Sequence, residues 1–157
     1  MQSICNKHNP KYYPQFKVWC DKYFYNPLRG ESRGIGGIFF DDLYDNFDLN
    51  KQFVFDCAAG FNASYFPLIF KNFDKQWTSE QFEFEQIRRS RYVEFNLIYD
   101  KGTQFGFRQP GARPEAILMS LPPLAKFVYK FEPVKGSPEE ETINILTSPE
   151  KQNWADN

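Results

Sequence analysis

From Tyr12 to Tyr25 the apolar residues Phe16, Trp19, Cys20, Tyr23 and Phe24 recur at helical spacing. Pro10 and Pro14 flank this predicted helix, Pro27 stops it, and Leu28 to Ser32 reads as a polar turn. Gly34-Ile35-Gly36-Gly37 is poor helix material, and the short apolar run behind it ends in Asp41-Asp42. That pattern predicts a strand over 34–43, with glycines that admit another group close to the backbone. After a turn at Asp45 to Asp48, Leu49 to Asn72 predicts a long helix. Phe53, Cys57, Phe61, Tyr65 and Phe66 line one side of it, and Pro67 is a place for a kink.

Thr78-Ser79-Glu80-Gln81 has the composition of a capped helix start, and the helix is expected to reach Ser90. Residues 91–100 then alternate. Tyr92, Glu94, Asn96 and Ile98 face one way, Val93, Phe95, Leu97 and Tyr99 the other, which predicts a strand. Lys101-Gly102-Thr103 predicts a hairpin turn, with Gln104 to Arg108 as the return strand. Pro114 suits the first position of a helix that Leu121-Pro122-Pro123 ends. Ala125 to Phe131 alternates again, and Ser137-Pro138 opens a last helix to Leu146. The sum is an α+β fold, antiparallel strands with helices packed on them.

At 157 residues the chain is long enough for one domain with a sizeable core. Its 18 Phe, 9 Tyr and 3 Trp supply ample surface to bury, which argues against disorder. A net charge of -1 argues against a general binder of nucleic acid or anionic membranes. No run of apolar residues is long enough to predict a transmembrane helix, and the N-terminus has no signal-peptide pattern. Cys5, Cys20 and Cys57 are widely spaced and odd in number, so reduced thiols are expected. Asn62-Ala63-Ser64 matches a glycosylation sequon, read here as chance.

Candidate chemistry is sparse. The glycine segment lacks the strand before it and the helix after it that a dinucleotide loop requires. The cysteines and His8 form no zinc spacing, and His8, the single histidine, reads as a solvated surface residue. Asp41-Asp42 could share a proton or hold a metal; the favoured reading is a polar strand end before a turn. The arginines are more informative, because a guanidinium grips carboxylates with two parallel bonds. Arg88 and Arg89 read as solvated charge. Arg33 and Arg113, beside the glycine-bearing segments, are candidates for holding a polyanionic ligand.

Several longer motifs then resemble one family. They are Trp19-Cys20-Asp21, Tyr23-Phe24-Tyr25, Arg33 to Leu43, Arg91 to Leu97, Tyr99 to Thr103 with Phe105-Gly106, and Glu115 with Ile117 to Pro123. Gly136-Ser137-Pro138-Glu139 and Trp154 close the series. Together they resemble the oxygen-dependent coproporphyrinogen-III oxidases, in order and over nearly the whole chain. The resemblance implies an enzyme of haem biosynthesis that oxidatively decarboxylates two propionates of coproporphyrinogen III, giving protoporphyrinogen IX. Molecular oxygen is the co-substrate, and no cofactor is expected from this chain. It also implies a flat antiparallel sheet with helices on both faces, and a homodimer. Gly111, Ala112 and Arg113 align with the family's substrate-contacting Gly-Gly-Arg segment, Ala112 departing from the second glycine. The stretch from Tyr92 to Val128 matches the family's dimerisation region.

The match implies that residues 1–157 are the C-terminal portion of the family's domain. The family's proton-donor histidine and an acidic glycine-rich segment belong to its N-terminal half, so no catalytic residue is assigned within this chain. Leu28 stands where some members carry a metal-ligand histidine, so no metal ligand is expected there. Three readings follow: part of an oxidase that needs the missing half, a non-catalytic relative that binds porphyrin or pairs with a longer subunit, and an independent oxidase. The first is favoured, with a cytoplasmic location, or an organellar one if a targeting segment was lost.

Overall fold

The computed structural model describes residues 1–148; Trp154 of the last motif lies outside them. Seven helices and one ribbon make up the described fold: α1 Gln2–His8, α2 Tyr12–Tyr23, β1 Tyr25–Asn26, β2 Glu31–Ser32, α3 Phe47–Asn72, α4 Ser79–Ile98, α5 Lys101–Phe107, α6 Pro114–Ile117 and α7 Pro138–Thr147. The chain gathers into two compact units. Of the described residues, one takes Met1–Tyr23 and Gly36–Gln76, and the other Phe24–Ile35 and residues 77–148.

The first unit is built on aromatic packing. Phe16 from α2 and Phe53 from α3 are buried together with Cys5 from α1. Phe40 closes this cluster, its ring 5.0 Å from those of both Phe16 and Phe53. Residues 34–43, expected as a strand, form neither strand nor helix. One ladder-like bond, from the Phe39 N–H to the Phe16 carbonyl, and the rings of Phe39 and Phe40 hold the segment instead. The glycine expectation is met at one position: a methyl on Gly36 would lie 2.6 Å from the buried Cys20 sulfur, whereas Gly34 and Gly37 face open space.

His8 is the clearest correction in this unit. Its Nε2 bonds the Asp56 carboxylate at 2.8 Å, and its ring meets Phe53 edge-on. The expected solvated histidine is therefore half-buried, because α1, which the sequence pattern did not predict, carries it onto α3. Cys5, Cys20 and Cys57 form no disulfide among the described residues, in line with the expected reduced thiols, and burial pushes the Cys5 thiol up.

Helix α3 starts with Asn46 accepting the Leu49 N–H and runs continuously through Pro67. Most of its length is exposed, including Phe55, Phe61, Phe66, Leu68 and Phe70. Against the expectation, its length and composition would allow a membrane crossing. One such helix is a weak indication, and Asp48, Lys51, Asp56 and Lys71 lie along it.

The second unit differs most from its predicted strands. The α+β class holds, since helices accompany one antiparallel sheet. Among the described residues that sheet is only the ribbon Tyr25↔Ser32 and Asn26↔Glu31, which takes in Tyr25, expected as the helix end, and Glu31 and Ser32, expected as part of a turn. Asn26 organises it. Its buried side chain accepts the N–H groups of Leu28 and Arg29, and Gly30 takes φ +66, open to glycine.

Residues 91–98, expected as a strand, continue α4. The capping box at Thr78 and Gln81 nucleates the helix as predicted, and no Gly or Pro interrupts it before Gly102. Each further residue then adds a hydrogen bond at little cost. The buried positions are Ile87, Ser90, Arg91 and Phe95, spaced three and four apart, so a helical stripe outcompetes the period-two pattern. The expected hairpin turn is the start of α5: Asp100 accepts the Thr103 N–H at 2.7 Å and its hydroxyl at 2.9 Å. The return strand 104–108 is α5 itself, with its C-cap. Residues 125–131 form no strand; the Lys126 N–H bonded to the Gln86 carbonyl, the Lys126 ammonium paired with Glu83 and the Phe131 ring against Phe84 tie them to α4. Pro114 and Ser137 start their helices as expected.

Gly36→Ala is expected to destabilise the chain by about 1–3 kcal/mol, because Cys20 has only one torsion with which to yield. Gly37→Ala should stay within about 0.5 kcal/mol. Denaturant melts of the two variants check this difference.

The His8 bond, then the Gln52 bond, holds the Asp56 carboxyl below the usual carboxylate range. A depressed folded value means this contact is fully stabilising above about pH 4 and weakens as pH falls through that value. Carboxyl NMR titration of His8→Leu should show Asp56 returning upward; an unmoved titration contradicts the contact.

Candidate functional site

The second unit carries Arg29, Arg33, Arg88, Arg89, Arg91, Arg108 and Arg113. They sort into three groups by what they touch.

The first group is engaged with acids. The β1–β2 turn directs Arg29 onto α4, where Nε and Nη2 bond the Glu94 carboxylate at 3.0 and 2.5 Å. That hydrogen-bonded fork raises the Arg29 pKa. Glu31, on β2, accepts from Arg88 Nη1 at 2.9 Å and Arg91 Nε at 3.2 Å. Arg91 also reaches Ser90 Oγ and, at 3.5 Å, Glu94. Burial lowers the Arg91 pKa, and the neighbouring Arg29 charge adds to that. Arg88, read from sequence as solvated, is therefore a half-buried partner of Glu31. The signal was present as the spacing Arg88, Arg91, Glu94, but it becomes one face only if α4 extends past Ser90.

The second group rests on aromatic rings. The Arg33 guanidinium carbon lies 4.3 Å from the Phe24 ring centre, 4.8 Å from Tyr92 and 5.5 Å from Phe95. Arg89 sits 4.4 Å from the centre of the same Tyr92 ring. Cation–π contacts of this kind orient a guanidinium. Tyr92 continues outward, its hydroxyl donating to Ser120 Oγ at 3.1 Å.

Arg108 and Arg113 form the third group. Both are exposed, and neither joins an ion pair among the described residues. They bracket the loop from Gln109 to Ala112, which the Ala112 N–H closes on the Gln109 carbonyl. Gly111 takes φ +72, and nothing lies within 4 Å of where its Cβ would stand. Arg113 is the residue before α6, so its carbonyl accepts from Ala116 and Ile117 while its side chain is left to solvent. The structure thus places Gly111, Ala112 and Arg113 on one open loop. It ties Arg33 to Tyr92, and Tyr92 to the segment that follows α6.

Asp41 and Asp42, the other sequence candidates, belong to the first unit. Tyr44 donates to Asp42 Oδ1 at 2.7 Å. No group of three or more His, Cys, Asp or Glu suited to a metal ion occurs among the described residues.

A sequence model of the coproporphyrinogen III oxidase family matches residues 1–154. The chain belongs to this family. Similar proteins carry the same name. The oxygen-dependent coproporphyrinogen-III oxidase of Drosophila melanogaster is 48% identical over 95% of this chain and 38% of its own length. The human protein, named as mitochondrial, is 48% identical over 95% of this chain and 33% of its own. A Francisella tularensis protein is 48% identical over 92% of this chain and 47% of its own. The chain therefore spans less than half the length of these coproporphyrinogen-III oxidases.

Replacing Glu31 by Gln should cost about 3 kcal/mol, since it leaves Arg88 and Arg91 buried without a counter-charge. Arg113→Ala should change stability by less than about 0.5 kcal/mol. Thermal melts distinguish the structural arginine partner from the free arginine.

Proposed function

We propose that this chain supplies the carboxylate-holding part of an oxygen-dependent coproporphyrinogen-III oxidase, of the haem pathway. The reading rests on its 48% identity, over 95% of its length, to proteins of that name. In the reaction each of two propionic acid groups loses carbon dioxide and two hydrogens, leaving a vinyl group, while oxygen becomes hydrogen peroxide. The substrate is an apolar macrocycle ringed by four carboxylates. Such a ligand calls for an aromatic surface with a few placed cations.

Gly111, Ala112 and Arg113 are the loop we assign to a propionate, with Arg108 beside it. Two exposed guanidiniums without internal partners suit that task. Arg33, oriented by Phe24 and Tyr92, is the second assigned cation. The single histidine is engaged by Asp56, so a proton donor of that type has to come from outside these residues. Turnover then requires the remainder of the family's length, as a longer subunit or a separate half. Homodimerisation or such pairing through Tyr92 to Val128 is supported by exposed Leu97, Ile98, Phe105, Met119, Leu124 and Phe127 along it. The same engaged histidine favours, as a second reading, a non-catalytic relative that binds porphyrin or a longer subunit. The human and rat relatives are named mitochondrial, which supports an organellar location, with a cytoplasmic one as the alternative.

Aerobic incubation with coproporphyrinogen III, followed by porphyrin fluorescence after oxidation, tests the proposal. The chain alone should be silent, and addition of a relative's N-terminal half should restore turnover. In that mixture Arg113→Ala should lower kcat/KM about tenfold or more, the loss of one charge-assisted bond. Turnover by the chain alone would overturn the division of labour. Association of the halves without turnover would favour the non-catalytic reading.

A further inference from the structure

Arg89, expected as solvated charge, is half-buried on α4. Glu85 stands one helical turn before it, at the spacing that favours an ion pair. That pair does not form, and Arg89 joins no ion pair among the described residues. Its guanidinium turns the other way along the helix, onto Tyr92, with 4.4 Å between the guanidinium carbon and the ring centre. Glu31 and Glu94, the acids bonded to the neighbouring arginines, are taken up by Arg88, Arg91 and Arg29. A ring orients a guanidinium but accepts few of its N–H donors, so the planar fork stays available to an incoming carboxylate.

Tyr92 also carries Arg33, whose guanidinium carbon is 4.8 Å from the same ring centre. The guanidinium carbons of Arg33 and Arg89 are therefore separated by no more than the sum of those two distances. The backbone behind them is fixed as well. Arg88, the residue before Arg89, donates from Nη2 to the Ser32 carbonyl at 3.3 Å and to the Arg33 carbonyl at 3.5 Å. The Arg33 N–H is bonded to the Phe24 carbonyl at 3.2 Å. Both cations are thus placed before a ligand arrives, which lowers the ordering cost of binding.

We infer that Arg89 is a further carboxylate-binding residue, which takes a second propionate of the macrocycle beside the one held by Arg33. The inference rests on the oxidase reading above and extends its carboxylate contacts to a pair set on one ring. Propionate arms on neighbouring pyrroles are flexible and close together, so two carboxylates can reach two guanidiniums that share a tyrosine. A ligand with one carboxylate gains from one of these cations, and a tetracarboxylate gains from both. Partial burial makes each bond stronger than it would be at a fully solvated arginine.

The test uses the full chain and coproporphyrin III, the stable oxidised form of the substrate. Porphyrin fluorescence gives Kd, and NMR follows the arginine Nε–H signals. The wild type should saturate, with the Arg89 Nε–H shifting in step. Arg89→Gln should raise Kd about tenfold or more, the loss of one charge-assisted bond. Arg89→Lys, which keeps the charge without the fork, should raise it less. Lys135→Gln removes an exposed cation of the same unit and should leave Kd within about twofold. An Arg89 Nε–H unmoved at saturation would overturn the inference. So would an unchanged Kd in Arg89→Gln, or an equal loss in Lys135→Gln, which would mean general attraction between charges. If Arg113→Ala still weakens binding in those cases, the oxidase reading stands without Arg89. If Arg89→Gln weakens binding and Arg113→Ala does not, Arg89 stands and the loop assignment falls. No binding by the wild type overturns both. The Nε–H shift needs no variant, so it decides even where Arg89→Gln misfolds.

Discussion

The second unit depends on one carboxylate. Glu31 sits on a two-residue strand, 7% exposed, between the guanidiniums of Arg88 and Arg91. Removing a carboxylate from water is expensive, and two forks of N–H donors are what make its burial tolerable. The same contact fixes where the β1–β2 ribbon lies against α4. That placement carries Arg29 to Glu94 and Phe24 onto Phe95. It also brings Arg33 under the rings of Phe24 and Tyr92. A ribbon of two residue pairs has little stability of its own, so side-chain charge does here what ladder bonds do in a larger sheet.

This arrangement divides the arginines by role. Those on the inner face of α4 are neutralised by acids and hold the unit together. Those on the loop before α6 have no internal partner and are free to meet an anion. A carboxylate ligand competes poorly for the first kind, whose bonds are short and shielded, and well for the second. The proposal that Arg113 meets substrate therefore rests on exposure as well as on family resemblance, and that for Arg108 on exposure alone. Arg33 is set apart by its packing against the Phe24 and Tyr92 rings.

The legible parts of the sequence were those with local causes. Thr78 with Gln81, Pro114 and Ser137 each start a helix in the place their chemistry predicts. Gly36 was recognised as a site of close approach, though not as the neighbour of Cys20. The family and the Gly111 to Arg113 loop were also readable, because several long motifs recur in order. The missed parts were decided by distant groups. Asp56 lies 48 residues from His8 and removes it from solvent. Glu31 and Arg88, 57 apart, turn presumed surface charge into an interior pair.

Residues 91–98 show where the two levels part. Taken alone, they satisfy a strand pattern and a helical one, since Ile87, Arg91 and Phe95 are four apart while the residues from Tyr92 to Tyr99 alternate. The sequence by itself determined the helix start at Thr78, the absence of a breaker, the aromatic content and the family. Only the tertiary structure decided between the two periods. It did so because Glu31, Phe24 and Arg33 approach one side of α4, and burying Arg91 and Phe95 there is possible only if both point the same way.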